Sequence, residues 1–144
     1  MARSFPQAVL SDALRDAVGG RRVSAAVFLT FRFEPAFFEQ EILPLLFDQV
    51  FSHVEKVRLT QLEDLLRALK VAVYYDRNGL DTGPGPARLD YRRIGLGRGT
   101  GFFHPKNVML LVEEQVEEGD PIRSLVHVTL SANLTRAGWW ENVE

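Results

Sequence analysis

The stretch "FFHPKNVMLLVEE", Phe102–Glu114, has the pattern of an apolar strand whose opening residues are polar. In an extended chain residues i and i+2 project to the same side, so Val108, Leu110 and Val112 form one face. His104 and Lys106 continue that face past the apolar run. A core strand that begins with an imidazole and an ammonium on its buried side either ends in solvent or meets something that needs both groups. Pro105 has no N–H to offer a neighbour, which fits the first residue of a strand or a locally unpaired edge. Taken alone, the pair reads as a solvated strand end.

Such a strand needs partners, and the chain offers them on both sides. "VSAAVFLTFRF" (Val23–Phe33) is apolar on both faces in its middle and reads as a central strand. "KVAVYYD" (Lys70–Asp76) is a second strand and "RLDYRRIGL" (Arg88–Leu96) a third. "MLLVEE" (Met109–Glu114) and "RSLVHVTLS" (Arg123–Ser131) are two more, joined by the acidic turn "QVEEGDPI". A short helix is expected over Ala8–Val18. In "PAFFEQEILPLLFDQVF" (Pro35–Phe51), Phe38, Ile42 and Leu45 or Leu46 have helical spacing, and Pro44 predicts a kink or an early stop. "LTQLEDLLRAL" (Leu59–Leu69) opens with Thr60 and Glu63 in capping-box spacing, with Leu62, Leu65, Leu66 and Leu69 on one face. This order predicts an α/β or α+β fold, a mixed central sheet flanked by helices. With no repeat and no long linker, residues 1–144 read as one domain.

Composition narrows the function. A chain of 144 residues, 46% hydrophobic and 25% charged, can build a core of its own. A net charge of −2 means that an anionic partner must be met by a local cluster such as Arg88, Arg92, Arg93 and Arg98. The absence of cysteine removes disulfides, thiolate zinc sites and thiol catalysis together. No stretch approaches the roughly 20 apolar residues that span a bilayer, and the N-terminus lacks an apolar core with a cleavage site. A soluble cytoplasmic protein is expected. The three histidines, His53, His104 and His127, have no metal-ligand spacing, so neither a metal nor a cofactor is expected.

A second polar group lies in "HVTLSANLTRAGWWENVE" (His127–Glu144), where an apolar strand runs into Ser131, Ala132 and Asn133. Ser131 and Asn133 share a face if the strand continues that far; their simpler reading is helix capping, with "LTRAGWW" as a short helix. Thr135 reads as a cap or turn residue. His127 lies roughly 13 Å along the strand from Ser131 and reads as structural. "GLGRGTG" (Gly95–Gly101) lacks the Lys and Ser/Thr of a phosphate loop and reads as the approach to His104. Trp139 and Trp140 fit packing better than base stacking.

"HPK" (His104–Lys106), "SAN" (Ser131–Asn133) and "NVE" (Asn142–Glu144), in that order, resemble the phospholipase D superfamily, whose signature is H-x-K, a strand ending in Ser-x-Asn, and a glutamate in an N-x-E context. "SANLTRAGWW" is similar to the corresponding segment of the nuclease and tyrosyl-DNA phosphodiesterase branches. One departure is Leu111, which stands where the full signature has an aspartate. A second is the longer turn "EEQVEEGDPIR" between the two motif strands. The resemblance implies a phospholipase D-like domain and a metal-independent phosphodiesterase, nuclease-like on DNA, working through a phosphohistidine. It implies His104 as nucleophile, Lys106 as cation, Asn133 as amide donor and Glu144 as the carboxylate that orients a histidine ring. Ser131 and Arg93 are then expected to bind the substrate. The chain has one H-x-K where the chemistry needs two, so a homodimer or a second phospholipase D-like half is expected, the chain being in that second case the N-terminal part of a longer protein. The other functions open to the same residues are a phospholipid hydrolase or transferase, and a non-catalytic phosphate-binding or dimerisation module of a larger nucleic-acid enzyme.

Overall fold

A computed structural model describes residues 9–82, 88–97 and 101–141. They form a mixed α/β unit around a five-stranded sheet: β1 (Arg22–Thr30), β2 (Lys70–Asp76), β3 (Arg92–Leu96), β4 (Asn107–Glu114) and β5 (Ile122–Thr129), in the spatial order β3-β2-β1-β4-β5. β1, β2 and β3 run parallel, while β4 pairs antiparallel with both β1 and β5. β1 is central, as its two apolar faces require.

The two faces of the sheet differ. Phe28, Val71, Val73, Val108, Leu110 and Val112 are buried on one side, in a single cluster with residues of every helix below. The alternate residues Ala25, Val27, Leu29, Ala72, Met109 and Leu111 are only half-buried. The expected flanking by helices is thus, among the described residues, a covering of one face. A register shift between Val23 and Ala25 lets both Val23 and Ala26 turn inward, although they are three residues apart.

The covering layer begins with α1 (Val9–Val18), which inserts Leu14 and Val18. α2 (Pro35–Phe37) then runs directly into a π-helical turn, Phe38–Ile42, and a 3₁₀ turn, Leu43–Leu46. Pro44 lies in that last turn, and Phe47 is already extended, so the early stop predicted from Pro44 occurs. Phe38 meets Phe28 edge-on at 4.9 Å and Phe33 at 5.8 Å, so three rings join the helical layer to the sheet. Truncating Phe28, which has no exposed surface, would cost about 3–5 kcal/mol.

α3 (Glu55–Leu66) corrects the expected helix start. Thr60 is no cap: it lies inside the helix and its hydroxyl donates to the Lys56 carbonyl one turn back, at 3.0 Å. The N-cap is Val54, whose N–H is taken by Ser52 Oγ at 3.1 Å. Glu55 and Lys56 extend the helix outward as exposed residues with no apolar periodicity to announce them.

β1 is the switch point of the sheet. Its carboxyl end adjoins the carboxyl end of β2 through Thr30↔Tyr75 and the amino end of β4 through Leu29↔Asn107. From β1 the chain moves out to β2 and β3 on one side and later takes β4 and β5 on the other, so the strand order reverses at β1, the kind of place where open α/β sheets bind ligands.

Candidate functional site

Four segments meet at this edge. Residues 31–34 leave β1, residues 77–81 leave β2, residues 101–106 enter β4, and residues 130–135 leave β5. Their backbones are stitched together: the Phe33 N–H donates to the Gly79 carbonyl at 2.9 Å, Glu34 N–H to Leu134 at 2.9 Å, and Leu130 N–H to Lys106 at 2.9 Å. Gly79 is needed here because a Cβ on it would run into the carbonyl of Phe31.

His104 and Lys106 come together just before β4 rather than on it. The strand begins at Asn107. Lys106 Nζ lies 3.4 Å from His104 Nδ1, a contact in which the ammonium donates to a ring lone pair. The exposed imidazole stacks on Phe31, with ring centroids 4.9 Å apart and planes at 27°. Phe31 also meets the ring of Phe102 edge-on at 6.0 Å.

Asp76 fixes this loop from beneath. It is 2% exposed, at the carboxyl end of β2. One carboxylate oxygen accepts the Asn78 N–H at 2.8 Å and the other the Phe103 N–H at 2.8 Å. The residue preceding His104 is therefore held by a charge-assisted bond to a part of the sheet that solvent does not reach.

Asn133 is buried at 5%, and its Oδ1 accepts the Arg32 N–H at 3.0 Å. Thr30 Oγ1 donates to the Arg32 carbonyl at 2.7 Å and accepts the Leu134 N–H at 3.1 Å. Asn133 thus grips the chain on either side of Phe31, and through Phe31 it reaches the histidine. Ser131 is exposed, next to the Leu130–Lys106 bond. Thr135 caps the last turn as expected, its hydroxyl accepting the Gly138 N–H at 3.0 Å.

The other sequence candidates lie elsewhere. Arg93 pairs with Val73 on β3, three strands from β4 and so roughly 14 Å away. Its guanidinium lies 5.3 Å over Tyr91, so the structure does not bring it to His104. Arg88 makes an ion pair with Glu55 at 3.9 Å. His127 is exposed, and its Nε2 lies 2.8 Å from Asn107 Oδ1. Glu144, Asn142 and Arg98 fall outside the described residues. Trp139 is 2% exposed and belongs to the core.

Sequence reasoning missed Phe31, Asp76, Arg32 and Arg77. Phe31 was hidden in strand alternation and Asp76 at the end of a strand. Both arginines are exposed and make no ion pair among the described residues, and the Arg77 guanidinium lies beside Gly97, past the end of β3.

A second polar cluster sits under β3. Glu39 is 2% exposed; its Oε1 accepts the N–H groups of Arg88 and Leu89, while Oε2 has no partner among the described residues. Burial pushes its carboxyl above the ordinary value, opposed by those two N–H groups and by Arg93. Burial, and then Glu39, pushes the Tyr91 hydroxyl up as well.

Comparison with protein-family models, curated proteins and solved structures gives no match to this chain. The likeness to phospholipase D therefore rests on the residues themselves.

Proposed function

We propose that the chain is a phospholipase D-like, metal-independent phosphodiesterase, nuclease-like on DNA, in which His104 is the nucleophile. The observation that carries this reading is the 3.4 Å contact between Lys106 and His104 at the switch point of the sheet, on a ring fixed by Phe31. A phosphodiester entering the crevice draws the Lys106 ammonium from the imidazole to its non-bridging oxygens, where negative charge builds in the transition state. The freed imidazole then has a lone pair to form the P–N bond.

The bond to the leaving oxygen breaks as that oxygen takes a proton from a second histidine. Water then attacks the phosphohistidine, giving its proton to the same second histidine, and His104 is released. The chain has a single H-x-K, so the second histidine belongs to another copy across a two-fold axis or to another half of a longer protein. Glu144 would accept from a ring N–H and so set the tautomer. Asn133 supports the site by gripping Arg32, and Ser131 offers its exposed hydroxyl to the phosphate.

The test is incubation with labelled single-stranded DNA, duplex DNA and phospholipid vesicles in excess EDTA, comparing wild type with His104→Ala. DNA cleavage by the wild type alone is expected. Activity retained in the variant overturns the assignment, turnover of vesicle lipid alone moves the substrate to phospholipid, and DNA binding without cleavage points to a non-catalytic module.

A further inference from the structure

Among the described residues, four phenylalanines are buried and one stands largely in water. Phe28, Phe33, Phe37 and Phe38 are at most 2% exposed, whereas Phe102 is 74% exposed. A lone exposed apolar side chain is ordinary, and what sets Phe102 apart is that it stands against Phe31, the ring that also carries His104. Phe102 is also held in place: its ring meets Phe31 at 6.0 Å, and the N–H of the next residue is bound by buried Asp76 at 2.8 Å. The ring therefore does not require a ligand to order it, and a binding event loses little entropy there.

We infer that Phe102 is a stacking platform for an unpaired nucleobase, which makes single-stranded nucleic acid the substrate class of the His104–Lys106 site. Two features fix the chemistry. First, Phe102 and His104 both touch Phe31, so a flat apolar surface and a phosphate-attacking group stand beside one another, as a base and its neighbouring phosphate do along a strand. Second, Lys106 beside His104 and the exposed Arg32 next to Phe31 put positive charge at this edge of a chain whose net charge is −2, which suits a polyanionic backbone. Every base has a π-face, so such a platform tolerates sequence. In a duplex those faces are already stacked, so it favours unpaired strands.

The inference takes the phosphodiesterase reading for the identity of the phosphate, and the experiment separates the two. Binding of a labelled single-stranded oligonucleotide, its duplex, and an abasic strand of the same length is measured with the full chain in EDTA, and product formation is followed in parallel. Phe102→Ala weakens single-strand binding about tenfold and leaves abasic binding unchanged, while Phe102→Trp restores it. Because the side chain is exposed, the alanine variant keeps the fold, checked by an unchanged melting curve. Equal affinity of wild type and Phe102→Ala, or equal affinity of wild type for normal and abasic strands, overturns the platform even if cleavage persists. Phe102-dependent binding without any cleavage keeps the platform and removes the phosphodiesterase. Phe102-dependent binding of phosphatidylcholine vesicles in place of DNA reassigns the ring to a quaternary ammonium and overturns the inference.

Discussion

Two buried carboxylates, each 2% exposed, do opposite things with the same group. Asp76 at the mouth of the sheet spends both oxygens on backbone N–H groups and holds the loop that carries His104. Glu39, under β3, gives one oxygen to two N–H groups and leaves the other without a partner among the described residues, and burial raises its carboxyl above the ordinary value. A buried carboxyl is costly unless its oxygens find hydrogen-bond partners, and burial is what raises Glu39. The difference assigns Asp76 to the site and Glu39 to the stability of the fold.

The comparison breaks most readily at the mouth. Lys106→Ala should lower the rate of phosphodiester cleavage by about 10²–10³, since it removes a donor aimed at developing charge. A variant within threefold of wild type would remove Lys106 from the chemistry.

Next in size is Gly79→Ala. The added methyl group meets the Phe31 carbonyl, with backbone on both sides and no flexible side chain to yield. The expected cost is about 1–3 kcal/mol, read by chemical denaturation, together with a fall in kcat from the displaced Phe31–His104 stack. Full stability would show that residues 31–33 and 77–81 are less tightly joined than their hydrogen bonds indicate.

Asp76→Asn sharpens the contrast. An amide can accept one of the two N–H groups but not both, leaving an unpaired donor at about 1–3 kcal/mol. Because the loop before His104 loosens, kcat should fall more than KM rises. A loss of stability with an unchanged kcat would reduce Asp76 to a scaffold residue.

Glu39→Gln should have the smallest effect, and it should appear in stability alone. The native carboxyl titrates above its unfolded value, near 4.5, so across that window the native state binds more protons than the unfolded chain. Wild-type stability is therefore fullest on the acid side and falls as pH rises through the native pKa. The glutamine variant, which keeps an acceptor for Arg88 and Leu89, should show a flatter dependence in melting curves taken across that range. Parallel curves would show that the carboxyl is not perturbed.

How much of this was legible in the sequence depends on the range of the interaction. β2 was readable with its bounds because a short β-rich run followed by Asn-Gly is a local pattern, and the helical run around Pro44 stops early, at Leu46. The start of α3 was misread because Thr60 and Glu63 have capping-box spacing, whereas a hydroxyl inside a helix can donate to its own preceding turn. His104 and Lys106 were legible as polar residues at an apolar strand's mouth. Phe31 and Asp76 were not, because what makes them part of the site is a ring stack and a hydrogen bond to residues far along the chain, Asp76 and Phe103 being 27 positions apart. Arg93 was drawn in by its charge, which carries no information about the strand order that separates it from β4.

The central claim is that His104 becomes covalently bonded to phosphorus. The most direct measurement is alkaline quenching of wild type during turnover of a phosphate-labelled oligonucleotide in EDTA, followed by denaturing electrophoresis. The account predicts label on the protein that survives alkali, is lost in acid as a phosphoramidate must be, and is absent from His104→Ala. Cleavage by the wild type with no protein-bound label at any quench time, or label that persists in His104→Ala, would contradict it.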